Sequence, residues 1–150
     1  MSLNDQQKFL IDSAIEVLAG LFQKGDLLAT SPDSVKKFCQ LHLGHLEHEV
    51  FGVLLLDNQH RLIEFETMFR GTIDGASVYP REVAKQVLKC NAAAVIFCHN
   101  HPSGILSASE ADKRITDKLK EALNLFDVRV LDHIIVSHLG AFSFAESGLL

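Results

Sequence analysis

Two histidines and an aspartate stand close together in the sequence, in the segments His99-Asn100-His101-Pro102 and Ser109-Glu110-Ala111-Asp112. His99 and His101 follow an apolar run that reads as a strand, and side chains at i and i+2 of a strand point to the same side. Pro102 favours an extended conformation for His101. Two imidazoles and a carboxylate, with a fourth position left for water, suit a catalytic zinc ion. The spacing predicts one Zn2+ per chain, bound by His99, His101 and Asp112.

A zinc ion of this kind lowers the pKa of a bound water to about 7 and polarises a carbonyl group. The reaction also needs a base that is not a metal ligand, to take the proton of the water and pass it to the leaving amine. Glu49 stands at the head of the first buried strand and is the best-placed candidate, while Glu47, Glu64 and Glu66 compete with it.

Several of these residues also have ordinary structural interpretations. Ser109 followed three residues later by Asp112 resembles a capping box that starts a helix. Asp132-His133 is either support for a metal ligand or a polar pair in a strand. A row at His42, His45 and His48 would lie along one side of a helix, either as a solvated helix end or as a second metal site.

The elements that must position these residues alternate between helices and strands. Apolar periodicity predicts a helix over residues 3–22, and Thr30-Ser31-Pro32-Asp33 reads as a turn that opens a second helix. Gly71 and Gly75 mark a loop, and Pro80 precedes a third helix. The remaining predicted elements are strands at 50–56, 61–69, 92–98, 128–136 and 141–145 and a helix at about 109–125. We therefore expect one α/β (α+β) domain with a mixed central sheet flanked by helices.

The string H-x-H-P-x6-S-x2-D from His99 to Asp112 resembles the signature of JAMM (MPN+, JAB-domain) metalloproteases. That family places a glutamate upstream in a Glu-x-x-Gly context, which Glu49-Val50-Phe51-Gly52 matches. The resemblance implies Glu49 as general acid/base and Ser109 as a donor to the oxyanion. Within that superfamily the chain is most similar to the bacterial RadC-like proteins. The similar stretches are Glu49–Asp57, Gly71-Thr72, Pro80–Val83, His99–Gly104 and Leu131–Ile135.

This resemblance implies a JAMM/MPN-like RadC domain at residues 46–150, preceded by an N-terminal helical extension at residues 1–45. Longer RadC proteins carry a helix-hairpin-helix segment before the domain, and no glycine-containing hairpin of that kind is recognisable here. The chain also has no room for the long insertions with which eukaryotic JAMM deubiquitinases hold ubiquitin, so ubiquitin itself is not the expected substrate.

Composition narrows the functional classes further. The formal net charge is −5 and Lys and Arg form no block, so there is no clear nucleic-acid footprint. No apolar run approaches the ~20 residues that span a membrane, and the polar N-terminus lacks the features of a secretory signal. Three cysteines form no CxxC pair or even framework. We expect a cytoplasmic protein with reduced thiols and no membrane partner.

Two hypotheses follow from these observations. The first is a zinc-dependent hydrolase of an amide bond, of metallopeptidase or isopeptidase type, acting on an unidentified peptide or protein substrate. The second is a non-catalytic module of a DNA-repair-related or mobile-element pathway, with a structural or vestigial metal site. The open fourth position favours the enzyme, because structural zinc sites usually close all four positions with protein ligands. The apolar strands at Val50 and Val128 leave room for a homodimer.

Overall fold

The helices and strands of the chain follow the order predicted from its apolar pattern. A computed structural model describes residues 2–25, 31–71 and 78–150. Thr30 of the predicted turn and Gly75 of the predicted loop lie outside these residues. The elements are α1 (Asp5–Lys24), α2 (Pro32–Leu43), β1 (Val50–Leu56), β2 (Leu62–Arg70), α3 (Pro80–Cys90), β3 (Ala94–Asn100), α4 (Glu110–Asn124), β4 (Arg129–Ser137) and β5 (Gly140–Ser143).

The strands form one mixed sheet, as predicted. Within the described residues the strand order is β2-β1-β3-β4-β5. Strand β1 pairs antiparallel with both β2 and β3, β3 pairs parallel with β4, and β4 pairs antiparallel with β5. A parallel pair needs a long crossover connection, and α4 lies in the connection between β3 and β4. The loop between β3 and α4 carries the sequence from His101 to Ser109.

Strands β1 and β3 are buried along their whole length, which explains their nearly continuous apolar sequences. Their alternate side chains enter two clusters. Leu54 and Ile96 pack with Phe22 of α1 and Phe38 of α2, whereas Phe97 packs with residues of α3 and α4. Because neighbours in a strand alternate, Cys98 faces the α1/α2 side and His99 the α4 side. All three cysteines are free thiols.

The two N-terminal helices share their core with the sheet, through Phe22 and Phe38. The division into an extension at residues 1–45 and a domain at 46–150 stays a prediction. Among the described helices, none combines the length and the apolar character that crossing a membrane would require.

Candidate metal centre

The structure brings the three predicted ligands to one point beside the end of β3. His99 Nε2 lies 3.0 Å from Asp112 Oδ1, and His101 Nε2 lies 3.2 Å from Asp112 Oδ2. The two Nε2 atoms are 3.0 Å apart. His99 is 0% exposed and Asp112 1%, so the group is buried on the protein side. Among the residues that the structure describes, this is the one group of three or more potential ligands that could hold a metal ion.

A chain of hydrogen bonds fixes which nitrogen of His99 carries the proton. Thr116 Oγ1 donates to the backbone carbonyl of Asp112 at 2.7 Å, so at 2.6 Å it can only accept from His133 Nδ1. Burial holds the pKa of His133 well below its usual range, so this ring is neutral. His133 Nε2 is therefore a bare acceptor, and His99 Nδ1–H donates to it at 2.7 Å. The lone pair of His99 Nε2 faces Asp112.

The second histidine is held in the same tautomer by a different partner. His101 Nδ1 lies 2.8 Å from the backbone carbonyl of Ile105, which can only accept. The proton is therefore on Nδ1, and the lone pair of Nε2 points at the same place as that of His99. Ring nitrogens fixed in this way by a hydrogen bond from the opposite side of the ring are typical of histidine metal ligands.

These donor atoms fit a tetrahedral zinc ion. Ligands about 2.0–2.1 Å from zinc are separated from one another by about 3.3 Å, close to the 3.0–3.2 Å observed here. Two bare imidazole nitrogens cannot hydrogen-bond to each other, whereas a cation bound by both and by the carboxylate would account for their approach. Two nitrogens and a carboxylate oxygen suit Zn2+ and also other divalent transition metals. The residues present therefore fit the metal that the sequence predicts.

In the metal-free protein, protons take the place of the metal ion between the two histidines and Asp112. A hydrogen bond to Asp112 raises the pKa of His101, although burial opposes the shift, and the charge of Glu49 adds to it. Burial opposes ionisation of Asp112, but bonds from His101 and His99 outweigh it and hold the pKa of that carboxyl well below its usual range. Metal binding at this site must therefore displace a proton.

Asp112 also starts helix α4. Ser109 N donates to Asp112 Oδ2 at 2.9 Å, and Asp112 N donates to Ser109 Oγ at 3.0 Å, which together form a capping box. The two interpretations of Ser109-x-x-Asp112 are therefore compatible, because Asp112 faces the histidines while it caps the helix.

Glu49 and Ser109 line the same cavity as His101 and Asp112. This cavity has a volume of about 310 Å³ and is also lined by Ser103, Ile105 and Ser107. Of the competing glutamates, Glu64 contacts Cys90 on the α3 side of the sheet, 3.3 Å from its thiol, and Glu47 lines a neighbouring cavity with Pro102. Glu49 is thus the glutamate in the cavity of the predicted ligands, and its role as a base stays a prediction.

The structure also decides between the alternative interpretations of Asp132-His133 and of the row at His42, His45 and His48. Of the pair Asp132-His133, His133 bonds to the predicted ligand His99, whereas Asp132 accepts bonds from Ser143 Oγ and Ala145 N. The histidine row does not form along one helix, because α2 ends at Leu43, before His45 and His48. His42 packs instead between Phe38 and Phe65, with ring centroids 4.6 and 4.2 Å away.

Thr116 and Asn100 are polar residues of this region that sequence analysis did not single out. Thr116 stands four residues after Asp112, one helical turn along α4, so helical spacing could have placed it under the ligand. Asn100 lies between the two histidines and its side chain points to the other side of β3, where it is 1% exposed. A polar residue at a buried strand end could have been recognised only with the neighbouring strands in place.

Comparisons with known proteins agree with this geometry. Residues 29–149 match the family model of the RadC-like JAB domain. A UPF0758 protein of Vibrio cholerae is 56% identical over 97% of this chain and 91% of its own length. Another from Chromohalobacter salexigens is 54% identical over 89% of this chain and 59% of its own length. The chain belongs to the RadC-like JAB-domain family.

Proposed function

We propose that this protein is a zinc-dependent hydrolase of an amide bond, with His99, His101 and Asp112 as metal ligands. The observation that carries the proposal is the convergence of two fixed Nε2 lone pairs and a buried carboxylate on one point. That point borders a cavity that also contains Glu49. When bound, zinc supplies Lewis acidity, which activates water at neutral pH and polarises the scissile carbonyl.

In this proposal Glu49 moves the proton. The cavity lies directly beside His101, and a carboxylate at that place accepts a proton from the attacking water and returns it to the leaving amine. Glu49 is held at the start of β1, where Gly71 N donates to its backbone carbonyl at 3.0 Å. The Glu49 side chain therefore comes from the segment that leads into β1, whereas the proposed ligands come from β3, the loop that follows it and α4.

Ser109 is proposed to stabilise developing negative charge in the same cavity. Its oxygen accepts a hydrogen bond from Asp112 N at 3.0 Å, which fixes the hydroxyl while its own hydrogen can still be donated. A donor held in place before the reaction stabilises an oxyanion without reorganising. Substrates with a peptide or isopeptide bond suit this set of groups.

The metal content of purified protein tests the proposal. We expect near-stoichiometric zinc in wild type, in Glu49→Gln and in the exposed-histidine control His138→Ala, and its loss in His101→Ala. Peptide and isopeptide libraries would then be cleaved by wild type but not by Glu49→Gln. Zinc-free wild type prepared without chelators would refute the proposal and favour a non-catalytic module. Loss of zinc in Glu49→Gln would show Glu49 to be a ligand and not a base.

A further inference from the structure

Glu49 lies just outside the ladder of hydrogen bonds that orders its neighbours. The pairing of β1 with β3 begins at Phe51 and His99, and β1 itself begins at Val50. The backbone around Glu49 therefore cannot take its position from strand pairing with β3. The proposed ligands stand on β3, on the loop that follows it and on α4, whereas the bond from Gly71 N to the Glu49 carbonyl comes from the β2 side, so alignment of Glu49 with the ligands needs a further contact.

Asn100 makes that contact. It separates the two histidine ligands, and its side chain points away from them toward the segment that leads into β1. Asn100 Oδ1 accepts a hydrogen bond from Val50 N at 2.7 Å, and Asn100 Nδ2 donates to the carbonyls of His48 at 2.8 Å and Leu46 at 3.4 Å. These bonds continue the β1–β3 pairing beyond its last backbone pair, with a side chain in place of a strand.

Two of these hydrogen bonds hold the residues on either side of Glu49, which are His48 and Val50. The Asn100 amide is buried, with 1% of the residue exposed, so water does not compete for them. A side chain between the two ligands thus fixes the backbone of the candidate base, although the two segments lie far apart in the chain. A shift of β3 that moved the ligands would move Glu49 with them.

We propose that Asn100 is a positioning residue that holds Glu49 beside the metal ligands. The inference deepens the proposed function and rests on it, because Glu49 serves as a base only beside a bound metal. Asn100 itself touches neither metal nor substrate. It acts through the backbone of residues 46–50 and sets the distance between the base and His101.

Amide hydrogen exchange in the metal-free protein tests the anchoring. Asn100→Ala should raise exchange at Val50 by at least tenfold relative to Val53 in the interior of β1. The control Ser143→Ala removes a buried hydroxyl, which bonds to Asp132, and should leave this ratio unchanged. Should Asn100→Ala not fold, Asn100→Asp retains an acceptor for Val50 N and should keep Val50 protected, although it loses the bonds to the carbonyls of His48 and Leu46. An unchanged Val50 ratio in Asn100→Ala, or lost protection of Val50 in Asn100→Asp, overturns the proposal.

The response of Glu49 to Zn2+ tests the positioning. In wild type, Zn2+ should shift the 13C carboxyl resonance of Glu49, and Asn100→Ala should reduce this shift by half or more while Zn2+ affinity stays within threefold. A purely structural role would leave the shift unchanged or weaken Zn2+ binding, and either result contradicts the proposal. If wild type binds no Zn2+, the proposed function fails, and hydrogen exchange alone then decides whether Asn100 anchors this segment.

Discussion

Replacing His133 with Phe tests whether the hydrogen-bond chain behind His99 controls metal binding. The Phe ring preserves the contacts of His133 with Phe144, Phe51 and Phe97, whose ring centroids lie 4.7, 5.6 and 5.9 Å away. It removes the acceptor for His99 Nδ1–H, at a site where His99 is 0% exposed. An unsatisfied buried donor costs about 1–3 kcal/mol.

His99 has two responses to this loss, and both weaken metal binding. If the proton stays on Nδ1, the ligand-competent tautomer carries the cost of the unsatisfied donor. If the proton moves to Nε2, it can bond to Asp112 but blocks the metal position. We therefore expect Zn2+ affinity to fall by about 10–100-fold, the range typical when the outer partner of a ligand is removed.

Competition with a fluorescent zinc chelator at constant pH would measure this change. His138→Ala is the control, because it removes an exposed histidine on the turn between β4 and β5. Long-range 15N NMR of wild type should find the His99 proton on Nδ1. A folded His133→Phe variant that binds Zn2+ within twofold of wild type would refute the reasoning, as would a proton-free Nδ1 of His99 in the Zn2+-bound wild type.

Three further perturbations address stability. Zn2+ at 100 times its Kd should stabilise the protein by about 2.7 kcal/mol, which raises Tm by about 5–11 °C in calorimetry for a chain of this size; an equal rise in Asp112→Asn would contradict the site. Burial lowers the pKa of His42 from 6.5 to about 4. Because the unfolded chain then binds more protons between those pH values, stability should fall by about 2 kcal/mol, after discounting for solvent screening, as pH drops from 6.5 to 4. Urea midpoints should show this loss reduced in His42→Leu, and an unchanged pH slope would disprove it. Gly52→Ala would place a Cβ 2.7 Å from Phe65 Cζ and should cost about 1–3 kcal/mol in urea denaturation; a change below about 0.5 kcal/mol would show that the ring moves freely.

The strands could be predicted from the sequence, because buried strands have locally apolar sequences. Strands β1 and β3 are covered on both faces, so their apolar runs are nearly continuous and their predicted bounds differ little from those observed. Apolar periodicity predicts helix α1 two residues too early at each end. Its N-cap is Asn4, which forms a capping box with Gln7, a start signal that apolar periodicity does not detect.

The cluster of candidate metal ligands was also predictable, since His99, His101 and Asp112 come from one strand, one loop and the first turn of the next helix. The residues behind them are less predictable: the sequence leaves Asp132-His133 with two interpretations and gives Asn100 no role. His133 meets His99 only through the parallel register of β3 and β4, in which His99 pairs with Ile135. Asn100 meets Val50 only through the antiparallel register of β1 and β3. Register depends on the packing of the whole sheet, which local sequence does not encode.

The capping box of α4 affects which residues of this site would be lost first in evolution. Ser109 and Asp112 satisfy backbone groups at the start of the helix, so selection for a stable fold retains them in a descendant that no longer binds metal. His99 Nε2 and His101 Nε2 satisfy no backbone group; they face Asp112 in the proposed metal site, and the opposite ring nitrogens make the bonds that hold the rings. In such a descendant we therefore expect substitutions at the histidines before the loss of Ser-x-x-Asp. If the proposed function holds, the histidine pair, and not the aspartate, would distinguish a metal-binding relative from one that has lost the metal.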